Sequence, residues 1–407
     1  MPPAARTPPQ AGLVTGTLFS FVVLGLSSGM LGVAWPVLRH DFNQPLASLG
    51  ELLVASLFGY LSVSSITGWS LRRFGTVAVL LGSAVAACAG AGFFAFSRWW
   101  PVLVIAAMLL GAAGGGLDAA LNTVVALDGR ARLMNLLHAA YGVGGAIGPL
   151  LVTASLAATA SWRGAYGALC VLEAVLAGVW VLLRSAFSQL THRSATRDEP
   201  LWENRVTGLA GPRRPRVTIS LSLAVFFIYT GLEVTTDSWA ASYLRGPDGL
   251  PATLAGLAVF GYWAGLTAGR IGVAALGPRM APHIAVRAGM AGGIGGGALV
   301  WAGLGPAASA AGLVVIGLSL GPIFPALVNL TPGRLGPGTA ISAIGWQLAA
   351  AGAGGTGLSA LAGVVFQLTG LGGFGPVLVL LAALLAGLNL LLEREASSGR
   401  LNVSGAR

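Results

Sequence analysis

Long apolar runs alternate with short polar turns along almost the whole chain, and each run is about as long as a membrane-crossing helix. A helix that crosses the hydrocarbon core of a bilayer needs about 20 mostly apolar residues. The runs form two sets of six. The first set covers 13–38, 45–68, 76–96, 101–126, 133–160 and 164–184, and the second covers 217–244, 252–277, 283–303, 306–330, 338–366 and 372–392. The pattern predicts an all-α membrane protein with twelve transmembrane helices.

One long polar stretch, 185–216, separates the two sets of apolar runs. Its proline, its glycine and its mixed charges are typical of a linker. We therefore expect an N-terminal tail over 1–12, a six-helix bundle over 13–184, the linker over 185–216, a second six-helix bundle over 217–392 and a C-terminal tail over 393–407. The apolar run after the start MPPAARTPPQ is too long for a cleaved signal peptide.

Composition supports a membrane protein, because 55% of the residues are hydrophobic and only 9% are charged, whereas a soluble domain carries about 25% charged residues. All 23 basic residues are arginines, a usage that suggests a GC-rich bacterial genome. If both termini are cytoplasmic, 18 arginines lie on the cytoplasmic side, four lie outside and Arg270 lies within a span. This bias follows the positive-inside rule. It predicts a bacterial plasma (inner) membrane protein with cytoplasmic termini, and it explains the net charge of +10 without a nucleic-acid partner.

The two sets of runs repeat each other. GYLSVSSITG at 59–68 resembles GYWAGLTAG at 261–269, and GGGLDAALN at 114–122 resembles GPIFPALVN at 321–329. The two similarities occur in the same order, which favours an internal repeat. Parallel repeats of six helices are typical of major facilitator transporters. The pattern therefore predicts that fold, with two pseudo-symmetric six-helix bundles.

The segment GWSLRRFG at 68–75 is similar to a loop signature of the same superfamily, Gly-x-x-x-Asp-Arg-x-Gly, which lies between spans two and three. Gly68, Arg73 and Gly75 match the signature, which implies a gating loop. Arg72 occupies the place of the signature's aspartate. The resemblance therefore does not support a gating ion pair that uses that acid.

Five ionisable side chains stand out inside the predicted spans: Asp118, His138, Glu233, Asp237 and Arg270. An aspartate at the centre of a membrane helix costs about 2.5–3.5 kcal/mol on insertion scales, so such residues are functional candidates by default. Arg270 lies about two helical turns from the inner end of span eight and could extend to the cytoplasmic surface. Its role stays open at this point.

Asp118 and Asn122 are four residues apart and share a helix face. Hydration favours a carboxylate and loss of hydration favours the neutral acid, which is the behaviour that a proton-coupling group requires. A structural carboxylate bonded to a neighbouring helix is the alternative. His138 shares a face with Asn135 and Tyr141, and a neutral imidazole can both donate to and accept from sugar hydroxyl groups. Capping near the cytoplasmic interface is the alternative for His138.

Three side chains of the second half, Tyr229, Glu233 and Asp237, follow each other at four-residue spacing in YTGLEVTTDSW. Glu233 is close to the middle of its span and is a second candidate for proton coupling. Asp237 and Trp239 lie nearer the outer surface. A role in an outer vestibule and a structural role fit Asp237 equally well.

Four neutral side chains of the second half complete the predicted solute site: Trp263, Asn329, Trp346 and Gln347. Amides, a few acids and aromatic platforms together suit a polyhydroxylated neutral ligand. The sequence has no nucleotide-binding loop, zinc-ligand spacing or nucleophile motif, so we expect neither enzyme activity nor a cofactor. Cys88 and Cys170 fall in separate spans, which favours small packing residues over a disulfide or a metal site.

The motifs GLDAALN, RLMNLLHAAYGVGGAIGPL, YTGLEVTTDSWAASYL and YWAGLTAGR together resemble the fucose–galactose–glucose:proton symporter group of the major facilitator superfamily, including its sodium-dependent glucose transporter-like branch. The resemblance covers nearly the whole chain. It implies that Asp118 matches the span-four acid that serves proton coupling and sugar binding in fucose permeases, and that Glu233 matches a span-seven acid of the glucose transporter-like branch. It also implies that Asp118 and Asn122 face a central cavity. Gly32 stands where fucose permeases carry a span-one aspartate, so neither fucose nor coupling through span one is implied.

The sequence therefore predicts a monomeric secondary active transporter for a small polar solute, with a hexose-like sugar favoured, coupled to protons or to sodium. A proton-coupled exporter of drugs or metabolites is the runner-up. Gly144, Gly148 and Pro149 match the core of the antiporter signature Gly-x-x-x-Gly-Pro-x-x-Gly-Gly, although the closing glycine pair is missing. A non-transporting sensor is a third candidate, and the set of buried polar residues argues against it.

Overall fold

The structure is a computed structural model, and it describes residues 8–127, 131–184, 214–335 and 337–404. The described residues form thirteen α-helices. These are α1 (Pro8–Asp41), α2 (Leu49–Phe74), α3 (Thr76–Phe96), α4 (Trp100–Leu127), α5 (Ala131–Thr159), α6 (Arg163–Leu182), α7 (Pro215–Arg245), α8 (Ala252–Leu276), α9 (Pro282–Trp301), α10 (Pro306–Leu320), α11 (Ile323–Leu335), α12 (Pro337–Thr369) and α13 (Phe374–Ser404). Short 3-10 turns occupy Leu46–Ser48, Gly277–Arg279 and Leu371–Gly373.

Twelve stretches of the described chain are long and apolar enough to cross a membrane, and α10 and α11 together form the tenth. The predicted all-α fold with twelve membrane helices is therefore confirmed. The predicted linker falls almost entirely outside the described residues, because the description resumes at residue 214 and α7 begins at Pro215. At the other end of the second half, α13 continues as a helix through Ser404.

The predicted gating loop is for the most part helical. α2 continues to Phe74, so Gly68, Arg72 and Arg73 lie in its last turns and not in a loop. Arginine is a good helix former, so the helix can continue past the apolar segment. Gly75 alone separates α2 from α3, and its φ of 81° is a left-handed conformation that favours glycine. Both arginines are exposed, and a role in gating stays a prediction.

Internal contacts divide the chain into two compact units, Met1–Gln44 with Glu51–Leu201, and Pro45–Gly50 with Trp202–Arg407. In the first unit, α1 packs against α5, and α3 packs against α4 and α6. In the second unit, α7 packs against α12, and α9 packs against α10 and α13. The pairing of the first span with the fifth, and of the third with the fourth and sixth, thus recurs in the second half. This recurrence is what two parallel repeats require.

Glycine allows the close contact between α1 and α5. A Cβ atom on Gly144 would collide with the backbone carbonyl oxygen of Val22. Small residues let membrane helices approach this closely, and van der Waals packing then holds them together. The second unit has the equivalent contact, where Gly354 on α12 meets the backbone of Phe227 on α7. These glycines set the spacing of equivalent helix pairs in the two units.

Gly144→Ala is expected to destabilise the protein by about 1–3 kcal/mol, the usual cost of overpacking, because a backbone carbonyl cannot move aside as a flexible side chain can. The measurement is the thermal unfolding midpoint of the purified protein in detergent. Gly178→Ala on α6 is the matched control, since nothing lies within 4 Å of its added Cβ. Equal midpoints for the two variants would contradict the α1–α5 contact.

Candidate functional site

Asp118 on α4 lies at the centre of a small hydrogen-bonded cluster in the first unit. Tyr60 Oη on α2 donates to Asp118 Oδ2 at 2.7 Å, and Asn122 Nδ2 donates to Asp118 Oδ1 at 2.8 Å. Asp118 and Asn122 are half-buried. The amide oxygen Asn122 Oδ1 is buried and has no hydrogen-bond partner among the described residues. Two neutral donors thus bind the carboxylate of Asp118, and the amide oxygen of Asn122 beside it is available as an acceptor.

Two of the predicted solute-binding residues on α5 lie near this cluster. His138 is exposed, its ring packs edge-on against Phe21 of α1 with centroids 6.0 Å apart, and it lies within electrostatic range of Asp118. Tyr141 is half-buried. The side chain of Asn135 is outside the described part of the chain. His138 therefore adds a second titratable group to the surroundings of Asp118, and the solute-binding roles of these residues stay predictions.

Glu233 on α7 pairs with Arg270 on α8 in the second unit. Arg270 Nη2 lies 3.8 Å from Glu233 Oε1. Tyr229 Oη, one turn back along α7, donates to the Glu233 carboxylate and lies 3.2 Å from the carbonyl oxygen of Leu320. Tyr262 Oη on α8 donates to the backbone carbonyl of Glu233 at 3.1 Å. The guanidinium group of Arg270 therefore contacts an acid, instead of extending along α8 toward the end of the span.

Span ten is interrupted beside this ion pair, between α10 and α11. Pro325 has no N–H group, so it cannot donate to the carbonyl of Gly321 one turn earlier. Arg270 Nε donates to that carbonyl oxygen at 3.3 Å. Arg270 thus bridges Glu233 and the broken span. Irregular backbone at membrane depth is tolerated where it is buried in protein or lines a water-filled cavity, which makes this break a functional candidate.

The C-terminal part of α7 carries two further predicted residues in different settings. Trp263 Nε1 on α8 donates to Asp237 Oδ1 at 2.6 Å, which joins the two helices. Trp239 is fully buried, donates from Nε1 to the carbonyl oxygen of Ser359 at 3.0 Å and packs against Phe366. The contacts of Trp239 are those of a helix-packing residue. Asp237 and Trp263 form a polar contact, and a ligand could hydrogen-bond to the same carboxylate.

The amides and the tryptophan predicted on α11 and α12 do not share one environment. Gln347 is 1% exposed, and its Nε2 donates to Ser222 Oγ at 2.6 Å and to Thr331 Oγ1 at 3.1 Å. Asn329 and Trp346 are both exposed. The structure therefore places Gln347 in a network that joins three helices, and it leaves Asn329 and Trp346 on surfaces of the second unit.

Three polar residues of the spans are not singled out by the sequence analysis. Tyr60 lies in the repeated Gly-Tyr motif whose second copy holds Tyr262, and that repeat was the available signal. Glu173 is an acid within the predicted sixth span, so its position alone could have identified it. Arg334 is buried and lies 3.7 Å from Glu393. Arg334 lies at the end of its span, where charged residues are common, and the sequence gives no sign of its burial.

The twelve apolar spans and the repeated helix pairs agree with a comparison against known protein families. The family model described as Major Facilitator Superfamily matches residues 17–360. The chain belongs to the Major Facilitator Superfamily. It is therefore a multi-pass membrane transporter and not an enzyme, as the sequence predicts.

Relatives of this superfamily member include proteins named for glucose. An MFS-type transporter of Yersinia pestis is 25% identical over 259 residues, which are 63% of this chain and 63% of that protein. Sodium-dependent glucose transporter 1 of Homo sapiens is 30% identical over 145 residues, 35% of this chain and 28% of that protein. The glucose/mannose transporter GlcP of Bacillus subtilis is 20% identical over 255 residues, 62% of each. The chain thus spans less than two thirds of the length of each of these relatives.

Solved structures of the superfamily share the fold. The nucleoside transporter NupG matches with a TM-score of 0.73 and 15% identity, and the match covers 96% of this chain and 99% of that one. A D-xylose-proton symporter matches with a TM-score of 0.68 and 14% identity, covering 92% and 97% of the two chains. At these identities the likeness establishes the major facilitator fold and leaves the solute open.

Arg270→Met is expected to lower the thermal stability of the protein, because it leaves the Glu233 carboxylate without its cation and the Gly321 carbonyl without its donor. Removing one partner of a fully buried ion pair costs about 3–5 kcal/mol. The two side chains keep 23% and 17% of their surface exposed, so we expect a smaller loss of about 1–3 kcal/mol. The measurement is the thermal unfolding midpoint in detergent.

The double variant Arg270→Met/Glu233→Gln is the control for this loss. It leaves no unpaired charge, so it should be more stable than the sum of the two single variants predicts, by a coupling energy of about 0.5–3 kcal/mol. Strictly additive effects would show that the two side chains do not stabilise each other.

Proposed function

We propose that this transporter moves a hexose-like sugar together with protons by alternating access. We place it in a bacterial plasma (inner) membrane, as a monomer with both termini cytoplasmic. The arginine distribution supports the orientation. The names of the glucose transporters and of the glucose/mannose transporter among its relatives support a hexose.

The proposal of proton coupling rests on the hydrogen bonds to Asp118, because both come from uncharged donors. Tyr60 and Asn122 hold its carboxylate, and neither residue brings a charge. Hydration therefore has a large influence on whether the group is ionised. A free-energy change of about 1.4 kcal/mol shifts a protonation equilibrium tenfold, so a modest change in hydration during transport is enough to load or release the proton.

Glu233 has a different partner and suits a different role. Arg270 lies opposite its carboxylate, so protonation of Glu233 would leave a cation unpaired in the membrane. We therefore assign proton coupling to Asp118. The Glu233–Arg270 pair, which also contacts the broken span, is assigned to the solute and to the conformational change.

The groups around the two acids suit hydroxyl-rich ligands. Asn122 Oδ1 is an acceptor without a partner among the described residues, and a sugar hydroxyl can donate to it. His138 is exposed and can donate as well as accept. In the second unit, Arg270 carries donors for hydroxyl oxygens. Taken separately, the polar groups of each unit suit a neutral polyhydroxylated solute better than an apolar drug.

The fragment that favoured an exporter has a packing explanation. Gly144 and Gly148 on α5 both lie against the backbone of α1, at Val22 and Leu26. Any function that keeps α1 and α5 this close needs those glycines. The match to the antiporter signature therefore does not separate an exporter from an importer.

Asp118→Asn is expected to abolish accumulation of labelled glucose in proteoliposomes under an inward proton gradient, while exchange of labelled for unlabelled glucose continues. The amide keeps the shape and most of the hydrogen bonding but cannot ionise. The measurements are gradient-driven uptake and counterflow in the same preparation. Glu51→Gln is the matched control, because Glu51 is an exposed carboxylate of α2 that bonds Trp100 Nε1 at 2.9 Å, and this variant should accumulate glucose like the parent.

Accumulation by Asp118→Asn equal to that of the parent would show that Asp118 is structural. Glu233→Gln would then become the variant that tests which acid carries the proton.

A panel of labelled hexoses tests the solute. We expect uptake of at least one hexose by the reconstituted parent protein, and we expect an inward proton gradient to increase it. Failure with every hexose, together with export of a cationic dye, would reject the sugar and favour the exporter.

A further inference from the structure

One buried acid of the first unit has no part in the clusters described above. Glu173 on α6 is 5% exposed, and its Oε2 is buried without a hydrogen-bond partner among the described residues. Within that same part of the chain, no ion pair joins it to an arginine or a histidine. An isolated charge at membrane depth is costly. The carboxyl group must therefore be neutral or hold a cation.

Glu173 lines a small cavity of about 20 Å³ in the core of the bundle. The hydroxyl-bearing side chains of Ser27 on α1 and Ser83 on α3 line the same cavity, and Gly114 and Leu117 on α4 complete much of its wall. A space of about 10–15 Å³ holds one water molecule, so this cavity admits one particle of that size. Three helices thus bring one carboxylate and two hydroxyl groups to a space for a single ion or water.

Charge and ligand type favour a monovalent cation in this space. A single positive charge neutralises one carboxylate, whereas a divalent ion would leave a buried excess charge. Carboxylate and hydroxyl oxygens are hard ligands that suit hard cations. No group of three or more histidine, cysteine, aspartate or glutamate side chains suited to a metal occurs among the described residues, which argues against a transition-metal site.

The titratable groups around the cavity do not supply a competing charge. Cys88 on α3 and Cys170, one turn from Glu173 on α6, are free thiols whose Sγ atoms lie 3.1 Å apart. Asp118 follows the lining residue Leu117 on α4, and both of its oxygens accept hydrogen bonds elsewhere. α1 contributes no charged side chain to the lining.

We propose that Glu173, Ser27 and Ser83 form a binding site for one sodium ion inside the first six-helix bundle, separate from the Asp118 cluster. The carboxylate supplies the charge, and the two hydroxyl groups supply neutral oxygen ligands from two other helices. The ion would hold α1, α3 and α6 together at this level of the bundle. The solute and the proton play no part in these contacts.

A groove of about 300 Å³ along α2, α3 and α4 lies beside the site. Ser83 and Ala113 line both the groove and the cavity. Thr67 and Ser70 add hydroxyl groups to the groove closer to the α2–α3 junction.

A sodium titration of thermal stability tests the site. Purified protein in detergent, without solute or gradient, is unfolded while NaCl replaces KCl at constant ionic strength. The midpoint of the parent protein should rise with sodium and saturate as expected for one site, because a ligand that binds only the folded state stabilises it. Glu173→Gln keeps the shape without the charge and should remove the rise. Ser83→Ala should weaken the apparent sodium affinity by about tenfold.

Asp118→Asn is the matched control, because it removes another membrane carboxylate of the same bundle and should keep the sodium response. The same midpoint in sodium and potassium for the parent would overturn the proposal and leave a neutral acid with a water molecule in the cavity. A response that survives in Glu173→Gln, or disappears in Asp118→Asn, would also overturn it.

If Glu173→Gln does not fold, a second experiment measures the binding of radioactive sodium to the parent, to Ser27→Ala and to Ser83→Ala. Equal binding by all three proteins rejects the site. Neither assay depends on transport, so its failure is distinct from a failure of the proposed function.

Discussion

Hydrocarbon offers no hydrogen bonds, and this constraint governs the polar contacts of both bundles. Small hydroxyl groups bond within their own helix, as Thr17 Oγ1 does to the Leu13 carbonyl at 2.8 Å. Larger polar groups need a neighbouring helix, so each of them also fixes how two helices pack. A buried polar atom that has no partner among the described residues, such as Glu173 Oε2, lacks this compensation. Such atoms mark the places where a solute, an ion or a water molecule is expected.

The two halves share one arrangement of helices but differ in the charge of the groups that contact their acidic residues. Tyr60 and Tyr262 occupy equivalent positions of the repeated Gly-Tyr motif, and each donates to an acidic residue, to the side chain in one half and to the backbone in the other. The acid of the first half has neutral donors. The acid of the second half has an arginine. Equivalent helix packing thus carries different polar contacts in the two halves, a carboxylate with neutral donors in the first and a carboxylate paired with an arginine in the second.

The spans were predictable because each depends only on local length and apolar content, and the Asp118–Asn122 contact was predictable because four-residue spacing fixes a helix face. Contacts between residues of distant spans were not predictable, because nothing in the local sequence indicates which helices pack together. Tyr60 reaches Asp118 across 58 positions of the chain, and Arg270 could have extended either toward Glu233 or toward the surface. The end of α2 was misplaced because helix formation continues past the apolar segment, through the arginines, until Gly75. The roles predicted for the site residues await the transport experiments.

The interruption of span ten bears on how the protein is assembled during synthesis. α10 has 15 residues and α11 has 13, and each is shorter than the roughly 20 residues that cross a bilayer. Together they form one apolar stretch, Pro306–Leu335, that is long enough to cross. The stretch can therefore enter the membrane as a unit, although its backbone lacks a donor at Gly321. Span eight precedes it along the chain, so Arg270, which donates to that carbonyl, is synthesised before the break that needs it. The order of the spans therefore lets the broken span meet its hydrogen-bond donor as soon as it packs against span eight.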